Sequence, residues 1–242
     1  MPESTLALTY DQIRQRVGYD RGYGTVIEDW NDQAKENVEF CLRDGSAMFY
    51  TQANYEWSFL SPLVTITIAA DTSEMELPWD FGFTVDDCIY FDDSIGRSLK
   101  IVNDGVVLKY RQMSTTTTGR PAYAAILIEG KPGTITGQSA KMIFWPTSDT
   151  AYDVQIRYSI MPNALSAATP VPYGGAAHSQ TILEACLAAS ERLDGTPGVH
   201  NQLYAVALEA SKTYDRRFKP RKIGNPKGEK WQPRNINPVT YV

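Results

Sequence analysis

Leu63-Val64-Thr65-Ile66-Thr67-Ile68 opens a stretch of the chain in which apolar side chains return at every second position or fill short runs. The same pattern recurs at Cys88-Ile89-Tyr90-Phe91, Val106-Val107-Leu108-Lys109-Tyr110, Ala125-Ile126-Leu127-Ile128, Met142-Ile143-Phe144-Trp145 and Val154-Gln155-Ile156-Arg157-Tyr158. These runs are rich in β-branched and aromatic residues, and turn signals separate them every 10 to 20 residues, which is the signature of strands. Intervals that short leave no room for crossover helices. The middle of the chain is therefore expected to form an antiparallel β-sandwich or barrel.

On either side the period lengthens to three or four. Thr9 and Gln12 form a capping-box pattern that opens a short helix with Ile13 and Val17 inward. Asp29 is placed to cap a longer helix to about Ala53, with Trp30, Ala34, Val38, Cys41, Leu42, Met48 and Phe49 on one face and Gly45 as a weak point. After the strands, Ile182, Leu183, Cys186, Leu187 and Leu193 form a stripe ended by Gly195. A last helix runs from about Val199 to Phe218, with Leu203, Ala207, Ala210 and Tyr214 expected inward. The fold expected is α+β. Residues 1–56 and 174–215 form a helical bundle, residues 57–173 an inserted β-sandwich, and residues 216–242 an extended C-terminal arm.

That arm carries the least ordinary composition. Arg216, Arg217, Lys219, Arg221, Lys222, Lys227, Lys230 and Arg234 face one acid, Glu229, and Pro220, Pro226, Pro233 and Pro238 punctuate the run. The remaining 215 residues hold 15 bases against 27 acids. A basic, proline-broken segment with few apolar residues cannot build a core, so it is expected to gain structure against a partner. That partner is an acidic protein surface, a neighbouring copy or nucleic acid. Trp231, Ile236 and Tyr241 are its isolated apolar anchors. Fully extended, the arm spans about 90 Å at ~3.3 Å per residue.

Chemistry has little support. The two histidines, His178 and His200, each lie at a helix start and read as cap or surface residues. There is no P-loop, nucleophile elbow or HExxH motif, and Cys41, Cys88 and Cys186 are too scattered for metal ligation. They read as reduced core thiols of a protein made in a cytoplasm. No enzymatic activity, cofactor or metal is expected. No apolar run reaches the ~18 residues of a membrane span, and Met1–Tyr10 lacks the features of a signal peptide.

An ordered set of motifs points further. Trp57-Ser58-Phe59-Leu60 is followed by Leu77-Pro78-Trp79-Asp80-Phe81, Gly119-Arg120-Pro121-Ala122-Tyr123-Ala124, Trp145-Pro146, Tyr152-Asp153-Val154-Gln155-Ile156-Arg157-Tyr158 and Met161-Pro162-Asn163-Ala164-Leu165. This order, between about Ala34 and Leu193, resembles the head-to-tail adaptor (connector) proteins of tailed bacteriophages. The resemblance implies a structural virion protein of the neck or tail, made in the host cytoplasm. It implies a ring of twelve copies between the portal protein and tail, nozzle or fibre proteins, through which DNA passes transiently. It also implies a C-terminal segment extending onto the portal, here Arg216, Arg217, Lys219, Arg221, Lys222, Lys227, Lys230, Trp231, Arg234, Ile236 and Tyr241.

The acids are also unevenly spread. From Asp44 to Gly96 there are ten and no lysine or arginine. Asp71, Glu74, Glu76, Asp86, Asp87, Asp92 and Asp93 read either as a charged sheet edge that resists stray pairing or as the lining of a ring that repels passing DNA. A calcium site at Asp86-Asp87 or Asp92-Asp93 lacks the regular ligand spacing. Within Leu77-Pro78-Trp79-Asp80-Phe81, Pro78 is expected to end a strand, Asp80 to accept backbone N–H groups, and Leu77 and Phe81 to bury. An alternative reading is a tail-associated module that binds or cleaves glycans, with Glu74 and Glu76 as paired carboxylates. A nucleic-acid-binding barrel is a third, opposed by the net charge of -5.

Overall fold

The computed structural model describes residues 4–52, 54–85, 88–92, 98–114, 117–130, 138–195 and 198–219. Among them are five helices and eight strands in an α+β arrangement with two main cores. Asp86, Asp87, Asp93, Arg221, Lys222, Lys227, Lys230, Trp231, Arg234, Ile236 and Tyr241 lie outside the described residues.

Helix α1, Tyr10–Asp20, begins at the expected capping box. The Gln12 N–H donates to Thr9 Oγ1, and the Thr9 N–H donates to Gln12 Oε1 at 3.0 Å. Its inward residues, Ile13 and Val17, are fully buried. Helix α2 spans Asp32–Tyr50, starting later and ending earlier than expected. Asp29 closes a short 3₁₀ turn, Ile27–Asp29, and the cap is Asn31, whose Oδ1 accepts from the Ala34 N–H at 2.7 Å. Helix α3 is Asp104–Met113, α4 is Ala176–Leu193 and α5 is Val199–Asp215.

Helix α4 packs against both α2 and α5, and α1 rests on α2 and α4. Gly45 sets the closest of these approaches. A β-carbon there would lie 2.5 Å from the backbone N and Cα of Cys186, so the α2 and α4 backbones can meet only at a glycine. Gly18 gives way in the same manner to the Trp30 ring, which would sit 2.1 Å from a β-carbon. Trp57, Leu60 and Leu165 belong to this helical core. Cys41 and Cys186 are buried free thiols within it.

The strands are β1 Leu63–Ile68, β2 Glu74–Glu76, β3 Phe81–Thr84, β4 Cys88–Phe91, β5 Ser98–Ile101, β6 Tyr123–Gly130, β7 Gln138–Trp145 and β8 Tyr152–Ile160. Their order is β1-β8-β4-β5-β6-β7-β2, with β3 also pairing β8. The two outermost strands, β1 and β2, follow one another in the chain across residues 69–73, so the sheet curls back on itself into a nearly closed barrel. Its inner face holds Ile68, Ile89, Leu99, Met142, Phe144 and Ile156.

Two expectations for this region fail together. Val106–Tyr110 is helical, within α3, and β5 pairs β6 in parallel, Lys100 opposite Tyr123 and Ile101 opposite Ala124. A parallel pair needs a crossover, and α3 is that crossover. The Val106-Val107 pair suggested a strand, but Asn103 supplies a helix cap by accepting the Gly105 N–H at 3.0 Å. Val107 then buries against Ala125 and Ile143, and the Tyr110 ring stacks on Trp145 at 4.8 Å and Tyr123 at 5.4 Å. Tertiary packing on the outer sheet face outweighs the β propensity of two valines.

Candidate interaction surface

Among the described residues no group of His, Cys, Asp or Glu side chains is placed to hold a metal ion, and no helix is long and apolar enough to cross a membrane. The built features are at the end of α5, where the basic segment begins.

Asp215, the last residue of α5, is 1% exposed. Ser58 donates to it through its N–H at 3.1 Å and its hydroxyl at 2.5 Å. The Tyr55 hydroxyl lies 2.8 Å from Asp215 Oδ2 and 2.9 Å from the Lys212 carbonyl oxygen. A buried carboxylate is tolerated only when its lone pairs are filled, and here neutral donors fill them. Burial, then the Asp215 carboxylate, pushes the Tyr55 hydroxyl well above its ordinary pKa. Trp57, on the other side of Ser58, is wedged against Phe49 at 4.5 Å and donates its indole N–H to the Phe49 carbonyl oxygen at 3.1 Å. The tryptophan–serine–phenylalanine motif thus fixes the position of the end of α5.

Arg216, Arg217 and Phe218 do not start an extended arm. Their N–H groups donate to Lys212, Tyr214 and Asp215 carbonyl oxygens and prolong α5 as a turn. Arg216 and Arg217 are exposed, and Lys219 Nζ lies 4.0 Å from the Tyr55 ring centre. Two grooves flank this point. One, of about 760 Å³, is lined by Phe59, Val85, Arg157, His178, Tyr214 and Phe218; the other, of about 730 Å³, by Tyr50, Leu60, Phe83, Met161 and Pro162. Glu56, Trp57 and Lys219 border both.

His178 differs from expectation. His178 sits in the first turn of α4, 3% exposed, among Phe59, Trp57, Tyr214 and Phe49 with ring centres 5.0–5.9 Å away. Burial lowers its pKa, so the ring is neutral and acts as a core aromatic, neither cap nor surface residue. His200 lies near the start of α5, with Nδ1 2.9 Å from Glu184 and Nε2 3.6 Å from Asp20. Burial opposes its charge, but Glu184 and Asp20 outweigh that and raise its pKa. Glu191 collects the Gly198, His200 and Asn201 N–H groups at 2.9–3.0 Å, which caps α5 from a neighbouring helix.

Of the acidic residues singled out in the sequence, Asp71, Glu74, Glu76 and Asp92 are described and exposed. Glu74 pairs with Lys141 at 3.3 Å, and Glu76 stands opposite Lys141 in the β2–β7 register. Asp71, at φ 56°, turns the chain between β1 and β2, while Asp92 accepts from Gln155 at 3.2 Å just beyond β4. Asp80 accepts the Tyr158 hydroxyl at 3.1 Å with its side chain, where backbone N–H groups were expected. Leu77 and Phe81 bury, fully and in part.

A curled sheet lies beside packed helices, and the last described helix ends at a pinned carboxylate between two grooves. The family model of the SU10 adaptor protein matches residues 8–224, and the chain belongs to that family. A search of curated proteins finds no match. Membership gives the chain a structural adaptor role in a phage particle, in agreement with the motif order of the sequence.

Proposed function

We propose that the chain is one subunit of a head-to-tail adaptor ring that joins the portal protein to tail, nozzle or fibre proteins in the virion neck. The observation that carries this reading is the root of the arm. Asp215 is locked by Ser58 and Tyr55, so the chain reaches Lys219 at a fixed point beside two grooves. A fixed exit lowers the entropy lost when the segment docks. Lys219, with Arg221, Lys222, Lys227, Lys230, Trp231, Arg234, Ile236 and Tyr241 beyond, then runs along the portal. Residues 1–56 and 174–215 act as the helical body, 57–173 as the β-insertion and 216–242 as the arm.

Twelve copies around one portal would convert weak single contacts into tight attachment through avidity. Exposed ion pairs are worth only about 0–1 kcal/mol each, so multiplicity matters more than any one base. Asp71, Glu74, Glu76 and Asp92, with Asp86, Asp87 and Asp93, would give a ring an anionic lining past which DNA slides. The glycan-cleaving alternative draws less support, because Glu74 is already engaged by Lys141. The test is co-sedimentation with purified portal rings. A chain ending at Lys219 is expected to melt at the same temperature as the full chain and to stay in the supernatant. Undiminished co-sedimentation of that shorter chain would refute the arm's role.

A further inference from the structure

Helix α5 carries two apolar faces, and its own body covers one of them. Tyr204, Leu208, Ser211 and Asp215 are buried. Val199, Leu203, Val206 and Ala210 recur at i, i+4, i+7 and i+11 on a second face turned about 140° away, at 100° per residue. Val199 is 66% exposed, Leu203 45% and Val206 73%, and Ala210 is exposed too. Three branched aliphatic side chains in line on a helix surface form a contiguous apolar stripe rather than scattered single exposures. The stripe ends in bases, because Arg216 and Arg217 prolong the helix and Arg217 falls on the same side as Val199.

The outer side of α2 offers a partner for it. Helix α2 buries Ala34, Val38, Cys41 and Leu42 and leaves Phe40 37% exposed on its outer side, with the Arg43 guanidinium 5.1 Å from its ring centre and Val26 exposed in the connection before the helix. The N-terminal approach to this face is acidic: Glu28, Asp29, Asp32 and Glu36 are all exposed. Laid antiparallel, α5 of one copy and α2 of the next bring Val206 onto Phe40. Arg217, eleven residues or about 16 Å further along, then reaches the acids at the start of α2. In that register Val199 meets the exposed Ala47 and Arg217 meets Asp29, while Leu203 lies over Arg43 and Ala210 over Glu36.

We infer that the α5 outer stripe of one copy docks on the α2 outer face of the next, Val206 on Phe40 and Arg216-Arg217 against Glu28, Asp29, Asp32 and Glu36. The two faces differ and point away from α4, so the contact is head-to-tail and propagates around a ring; a self-complementary two-fold contact would need the same patch on both sides. This rests on the proposed adaptor ring and assigns its subunit seam.

The test is thiol cross-linking with a short bismaleimide, on phage particles carrying the chain and on the purified full chain at high concentration. A chain with both Val206→Cys and Phe40→Cys is expected to give a ladder of covalent multimers. Each single variant gives none, and a mixture of the two gives dimers only. Cross-linked dimers from Val206→Cys alone would replace the head-to-tail seam by a two-fold one and overturn the proposal. Particles that contain the chain yet give no ladder would also overturn it while leaving the adaptor role standing. Particles that lack the chain would remove the adaptor role, and the ladder from purified chain would then decide the seam by itself. As a second reading, Val206→Asp is expected to weaken self-association in sedimentation by at least about tenfold without lowering the melting temperature; unchanged association contradicts the inference.

Discussion

The two faces of α5 reverse the usual rule. The buried face contains a serine and an aspartate, and the exposed face is valine, leucine, valine and alanine. Inside, Ser211 shares a hydrogen bond with Thr181 at 2.7 Å and Asp215 holds Ser58, so polar groups fix the position and the end of the helix. Outside, Val199, Leu203 and Val206 face away from the subunit core. Hydropathy alone does not choose between these faces, because Tyr204 and Leu208 share the buried one with Ser211 and Asp215.

That contrast can be broken from either side. The largest effect is expected at Gly45, which lets α4 approach closely enough to carry α5. Gly45→Ala drives a β-carbon into the Cys186 backbone and should cost at least about 3 kcal/mol, read as a lower midpoint in urea unfolding. Asp215→Ala removes the acceptor for the buried Ser58 N–H and should cost about 2–3 kcal/mol. It should also free the C-terminal segment, seen as faster proteolysis after Arg216 and Arg217. On the outer face, Leu203→Gln in the isolated chain should change stability by less than about 0.5 kcal/mol, since no core contact is lost. A large destabilisation there would mean that the stripe packs within its own subunit.

The smallest effect is the pH dependence of the α5 start. The His200 pKa is raised in the folded chain by Glu184 and Asp20 against the pull of burial. Its contribution is therefore fully present below the unfolded histidine value and is lost as pH rises through the folded one. The melting temperature of the native chain, relative to His200→Gln, should fall between about pH 6 and 8. A difference that stays flat, or grows with pH, would contradict the assigned pairing.

Local signals made much of this fold legible. Thr9 and Gln12 announce α1, and alternation in Val154–Tyr158 places β8 with its buried side correct. What stayed hidden depends on partners far away in sequence. Asp215 and Ser58 are 157 residues apart, and nothing local marks the aspartate as buried. Val106-Val107 looks like a strand until the outer sheet face under it is known. Leu203 and Tyr214 form as good a stripe as Tyr204 and Leu208, and only the position of α4 chooses between them. Gly45 reads as a weakness in α2, whereas it is the contact point with Cys186. For the site, the order of motifs pointed to the adaptor family, and the basic composition pointed to attachment. The carboxylate that pins the end of α5 required the three-dimensional structure.

The most direct measurement is an electron cryomicroscopy reconstruction of the phage neck. This account predicts the chain as a ring beneath the portal, with its C-terminal segment lying on portal density and the outer side of α5 closed by the adjoining subunit. Density for the chain in fibres or elsewhere in the particle, or a ring in which residues after Lys219 touch only their own subunit, would contradict it.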